Sequence, residues 1–181
     1  MELSNENIIF DTDPRMRQNS SNVELPLKEE DKELLMALYQ YVKDSQDDEL
    51  CAKRNLSPAV GIASIQVGIP KKLLAVVVPM EDGTTKEFAL ANPKIVSKSM
   101  QKAYLAGGEG CLSVPDPHAG PVPRANHIKV RAYDLLSDQN VVIEETGYPA
   151  IVLQHEIDHL SGILFYDRIV DHVTEDMIEI E

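Results

Sequence analysis

The chain has 181 residues, a formal net charge of −13, and 43% apolar residues, with only 5% aromatics and no Trp. That length fills one domain with a proper hydrophobic core of Leu, Ile, Val and Ala, so residues 1–181 are expected to form a single domain. The acidity excludes a main role in holding nucleic acid, which needs clustered Lys and Arg to replace counterions.

The opening MELSNENIIF has no basic stretch followed by an apolar run, so no secretory signal is expected. No apolar run reaches the length of a membrane span. The expected setting is therefore the cytoplasm, with Cys51 and Cys111 reduced. Residues 1–25 are polar and read as an arm or loop. After Pro26, Leu34, Leu35, Leu38, Tyr41 and Val42 recur at helical spacing and predict an amphipathic helix. Asn55 to Pro58 reads as a turn. LLAVVV (73–78) reads as a strand, Asp82-Gly83 as a hairpin turn and TTKEFAL as its return. Asn92-Pro93 reads as a break, and IVSKSMQKAYL as a strand or two. HIKVRAYDLL (127–136) alternates Ile128, Val130 and Ala132 against Lys129, Arg131 and Tyr133, and VVIEET follows a turn at 137–140 as the next strand. AIVLQHEIDHL then reads as a helix, with Pro149 in its first turn and Gly162 past its end. Helix, then antiparallel strands, then a helix suggests an α+β fold rather than a doubly wound one.

Three segments carry chemistry. In the last helix, His155 and His159 share one face a turn apart, so both imidazoles can reach one ion, with Glu156 beside them to hold a water. The helix is apolar around much of its girth, and unpaired buried polar groups cost a few kcal/mol each, roughly. A metal would offset that cost, whereas a surface helix with an accidental pattern would not need one. A catalytic site wants a third protein ligand and an open position. Downstream, Phe165 stands where the longer zinc-protease pattern has His, and only Glu175 and Glu179 are available. Upstream, GGEGCLSVP (107–115) bends through three glycines and delivers Cys111 into an extended run; a thiolate suits a borderline divalent ion. The bland alternative for Cys111 is a small buried hydrophobe. In AVGIASIQVGIP (59–70), Gln66 stands among apolar neighbours, where its amide can donate to an oxyanion or simply to main chain. Cys51 has no such context.

Together and in this order, GIASIQVG, EGCLSVP and QHEIDHL resemble the motifs of peptide deformylases. The likeness extends through IIFDTDPRMR, VPRANHIKVRAYD and GYPAIVLQHEIDHLSGILFYDRI, and SQDDELCAKRNLSP resembles the insertion of the longer second class of bacterial deformylases. Two small-for-small departures, Ala59 and Ser64, replace a Gly and an Ala of the first motif and bear on the shape of the substrate groove. The resemblance implies antiparallel β-sheets packed around a central helix carrying His-Glu-x-x-His, with an N-terminal helix. It implies removal of the formyl group from N-formylmethionyl peptides, releasing formate, with Cys111, His155 and His159 on one divalent metal. That metal would be Fe²⁺, with Ni²⁺, Co²⁺ or Zn²⁺ able to replace it. Glu156 would be the general acid/base, Gln66 and the Leu112 N–H the oxyanion donors, and Val60, Gly61 and Gly110 the substrate groove. Glu109 and Arg124 are expected either to brace the Cys111 segment as a pair or to be independent surface charges. The implied partners are nascent formylmethionyl chains, with the ribosome near its exit tunnel as a further candidate. Two rivals stand: an endopeptidase using a downstream glutamate, and a structural metal site closed by His118 or His127.

Overall fold

A computed structural model describes residues 1–181. The chain forms three helices, α1 (Glu29–Ser45), α2 (Asp48–Lys53) and α3 (Tyr148–His159), and eight strands. The strands are β1 (Gly61–Ala63), β2 (Leu73–Pro79), β3 (Thr85–Lys98), β4 (Lys102–Leu105), β5 (Arg124–Ala125), β6 (His127–Asp134), β7 (Gln139–Thr146) and β8 (Ile178–Ile180). Five of them form an antiparallel sheet in the order β1-β2-β3-β6-β7, and three form a small sheet in the order β5-β4-β8. This is a mixed α+β architecture with few helices.

The large sheet separates two cores. Strand residues alternate between faces, and in β2 both faces are apolar, which explains its unbroken LLAVVV run. Leu73, Ala75 and Val77 face α1 and pack with Leu34, Leu35, Leu38, Tyr41 and Val42. Leu74, Val76 and Val78 face the other way, with Ile128, Val130, Ala150, Val152, Leu153 and Leu160. The predicted apolar stripe of α1 is therefore all buried. Its first turn holds Glu29, Glu30 and Asp31 and its last turn Lys43, the charge order that suits a helix dipole. Asp31 is buried and accepts from Lys71 Nζ at 2.6 Å.

Three expectations need correction. Residues 1–25 are not a free arm: Leu3, Ile8, Met16 and Val23 are buried, and Met16 belongs to the core under α3. The few apolar residues there are too widely spaced to show a period. Asn92-Pro93 is not a break, because β3 runs through it with a bulge between Ala91 and Lys94. Asn92 takes the left-handed conformation (φ 52°) that short polar side chains tolerate, and its amide bonds both main-chain groups of Val23. Cys111 does not enter an extended strand: Val114 N–H donates to the Cys111 carbonyl at 3.0 Å, closing a turn over Leu112 and Ser113. The acidic C-terminus, for which the sequence offers no element, contains β8, which pairs parallel with β4.

Candidate metal centre and substrate groove

α3 lies between the large sheet and the small one, touching β1, β2, β5 and β7. Pro149 starts it where an N–H would have no partner. Gly162, past its end, adopts φ +69°, and a Cβ there would sit 2.5 Å from the Arg17 carbonyl oxygen. The C-terminal end of α3 and the N-terminal segment can therefore approach only because this residue is glycine. Eight α3 residues are buried, among them Gln154, Glu156 and His159, with His155 half-buried beside them.

Each of these polar groups can be accounted for, except where a ligand would act. Gln154 exchanges two hydrogen bonds with the Ala125 main chain. His155 Nδ1 lies 2.8 Å from Glu109 Oε1. Glu109 in turn accepts from Arg124 Nη2 at 2.8 Å and Nε at 3.0 Å, and Arg124 Nη1 donates to Asp158 at 2.6 Å. Arg124 and Glu109 side chains are both 3% exposed, so they form a buried pair and not two surface charges. Arg168 closes the chain of charges from outside, donating twice to Asp158. Glu109 thereby fixes the ring of His155 and leaves its Nε2 free, the arrangement by which outer groups orient metal-binding imidazoles.

The turn at Cys111 brings its sulfur to 3.4 Å from His159 Nε2. One ligand atom each from Cys111, His155 and His159 lies within 4.8 Å of the others. Two buried polar atoms here have no protein partner, Glu156 Oε2 and His159 Nδ1. One thiol and two imidazoles suit a borderline divalent ion, and three protein ligands leave a position open. The orphaned Glu156 oxygen is what an acid/base acting on a water in that position would present. The residues therefore fit a catalytic metal.

The electrostatics agree with a site built for charge. Burial raises the Glu156 carboxyl to about 7. Burial alone would lower His155, yet its contacts with Cys111 and Glu109 push it up to about 10. Burial, then the charge of His155, lowers His159.

A groove of about 1050 Å³ opens over these groups. Val60, Gly61, Gln66, Gly110, Cys111 and Leu112 all line it, as do His155 and Glu156. His159 is 1% exposed and lies beneath it. Gln66 is fully buried; its Oε1 accepts from Ala63 N–H at 2.8 Å, and its Nε2 lies 3.2 Å from Ser113 Oγ and 3.5 Å from Cys111 Sγ. No main-chain group takes the Leu112 N–H. A Cβ on Gly61 would come within 2.8 Å of Glu156 Cγ, so only glycine lets β1 run this close to the carboxylate.

The other candidates fall elsewhere. Glu175 and Glu179 are exposed, with Glu179 in β8. His118 packs on Tyr166, and His127 bonds Thr146 and Glu144. None belongs to the metal-competent cluster. Ser113 was missed: it is fully buried under the Gln66 amide, and its place in the Glu-Gly-Cys-Leu-Ser run was the available signal. Ser45 and Gln46 also line the groove, with no signal in their local sequence.

The family model for polypeptide deformylase matches residues 5–175. The chain belongs to the polypeptide deformylase family. Curated relatives agree: a peptide deformylase of Oceanobacillus iheyensis is 44% identical over 92% of this chain and 91% of its own, and a peptide deformylase 2 of Bacillus subtilis is 45% identical over 92% and 90%. Among solved structures, a probable peptide deformylase from Synechococcus phage S-SSM7 superposes with a TM-score of 0.71 at 35% identity, covering 90% of this chain and 98% of its own. The chain is therefore a deformylase, a metal-dependent hydrolase that removes the N-formyl group from nascent peptides.

Proposed function

We propose that Cys111, His155 and His159 hold one divalent ion, Fe²⁺ in the cell with Ni²⁺, Co²⁺ or Zn²⁺ able to replace it. In this reading Glu156 is the general acid/base, and residues 1–181 form one catalytic domain built around α3. The carrying observation is the convergence of three ligand atoms within 4.8 Å, beside a buried carboxylate oxygen with no protein partner.

When bound, the ion supplies Lewis acidity toward the formyl oxygen and toward water. The substrate's main chain lies in the groove along Val60 and Gly61 on one side and Gly110 on the other. The formyl oxygen meets the Gln66 amide and the Leu112 N–H, donors fixed before the reaction begins. Gln66 suits this because its own carbonyl is anchored on Ala63 N–H, so the amide does not need to reorient. Water adds to the formyl carbon as Glu156 takes its proton; the C–N bond then breaks as Glu156 returns that proton to the leaving amine. Formate and a free α-amino group result.

In this reading the enzyme works on N-formylmethionyl chains in the cytoplasm, with the ribosome near its exit tunnel as a further candidate partner. No helix is long and apolar enough to cross a membrane. A net charge of −13 gives no reason to expect specific nucleic-acid binding of its own.

Glu156→Ala tests the assignment on formyl-Met-Ala-Ser. Metal content should stay at the wild-type level while turnover falls by roughly 10²- to 10⁴-fold, the range for loss of a positioned acid/base. A near wild-type rate would refute it.

A further inference from the structure

The two oxyanion donors named above come from segments far apart in sequence. Gln66 stands in the short 3₁₀ turn after β1 (Ser64–Val67), and the Leu112 N–H in the turn at Cys111. Their direct link is the Gln66 amide, 3.2 Å from Ser113 Oγ and 3.5 Å from Cys111 Sγ. That amide is the group a formyl oxygen would engage, so it cannot also be the fixed brace. The N-terminal segment supplies one. Ile9 N–H donates to the Gln66 carbonyl at 2.8 Å, and Asp11 N–H donates to the Ser113 carbonyl at 2.8 Å. Three consecutive residues thus join the two segments through main chain alone. Two residues span at most about 7 Å, which limits how far the two carbonyls can part.

We propose that Ile9–Asp11 is a positioning strap that holds Gln66 against the Cys111 turn, keeping both oxyanion donors aimed at one point. This rests on the reading of the site given above. The strap supplies none of the metal-competent atoms; it acts through the carbonyls of Gln66 and Ser113. It is itself tied down on both sides. Ile8 is buried in the core on the α1 side of the sheet, and Ile9 packs on the core under α3. Asp13 N–H donates to the Phe10 carbonyl at 2.9 Å, closing a turn with Asp11 in its second position. Tyr166 donates its hydroxyl to Asp11 Oδ2 at 2.9 Å. Phe10, between the two donors, lines the groove. A shift of about 1 Å in a catalytic group can cost roughly 10²-fold in rate, so a brace of this kind belongs to the rate and not only to the fold.

The test removes each N–H without its neighbours. Neither Asp11 nor Thr12 has a positive φ, the pattern of a type I turn, and proline is favoured in the second position of such a turn. Asp11→Pro therefore loses the donor to Ser113 in a compatible backbone, and Asp11→Ala, which keeps the N–H and loses the carboxylate, is its control. Ile9→Pro against Ile9→Ala repeats the comparison at Gln66; Ile8 already has the extended backbone (φ −72°, ψ 126°) that a following proline requires. In metal-loaded enzyme, kcat on formyl-Met-Ala-Ser should fall roughly tenfold or more from each alanine variant to its proline partner, with KM and metal content unchanged. A merely structural segment would lower the unfolding temperature and leave kcat of the folded enzyme alone, so equal kcat within either pair would overturn the strap. Amide exchange in the Zn²⁺-loaded wild type depends on no variant folding. The Ile9 and Asp11 amides should exchange far more slowly than free peptide amides, and exchange at the free-peptide rate at either position would also overturn it. Absence of wild-type turnover on formyl-Met-Ala-Ser would instead sink the reading of the whole site, which keeps the two failures apart.

Discussion

α1 and α3 press on opposite faces of the same sheet, yet they are built on opposite principles. The buried face of α1 is almost wholly apolar, and the one acid it buries, Asp31, has a lysine partner. α3 is buried on nearly every side and carries Gln154, Glu156 and His159 into the interior. Glu156 and His159 each leave an atom there without a protein partner. Such atoms cost stability, and the sequence tolerates them beside the proposed metal centre. One helix therefore holds the fold and the other spends some of that stability on function.

The largest expected effect separates the two directly. Glu156→Ala should lose most of its turnover while its urea-unfolding free energy stays equal to the wild type or rises, because an unsatisfied buried group is removed. A marked loss of stability in that variant would break the contrast. Next, Arg124→Met should cost about 3–5 kcal/mol, since it strands Glu109 as an uncompensated buried charge. Pairing it with Glu109→Gln should recover a large part of that in the same unfolding experiment. No recovery would mean that the two residues act independently. On the α1 side, Leu38→Ala should cost about 2–5 kcal/mol through lost burial and a cavity, with kcat of the folded fraction unchanged. The smallest effect is on the surface. The Arg17 guanidinium beside Asp167 holds that carboxyl below its ordinary value. Its contribution is therefore present above the ordinary carboxylate range and is lost as pH falls through the lowered value. Both side chains are partly exposed, so Arg17→Ala should cost at most about 1 kcal/mol near neutral pH. That difference should vanish in acid; a constant difference at all pH values would contradict the ion pair.

The same contrast governs what could be read from the sequence. α1 was legible because its stripe recurs at Leu34, Leu38 and Tyr41, and β2 because six aliphatic residues follow one another before Pro79. α3 was legible from chemistry, since two histidines a turn apart on an apolar helix need an explanation. β3 was cut in two at Asn92-Pro93 because the residues that rescue it, Val23 and Lys72, are distant in sequence. The turn at Cys111 escaped for a similar reason: Leu-Ser-Val is β-prone locally, and the bend is held by contacts with Gln66, distant in sequence. β8 is too short and too acidic to show a strand signal without β4 beside it. At the site, the motif residues lie together around the groove, whereas Ser45 and Gln46 reach it only through the packing of α1.

The central claim is that a cysteine from a turn outside α3 completes the centre that the helix begins. Metal content of anaerobically purified wild type and Cys111→Ala tests it most directly. The expected result is about one divalent ion per wild-type chain, three protein ligands making one site, and its loss from a folded Cys111→Ala. A Cys111→Ala protein that keeps its ion would contradict a Cys-His-His centre and return the site to the pair of histidines with some other third ligand.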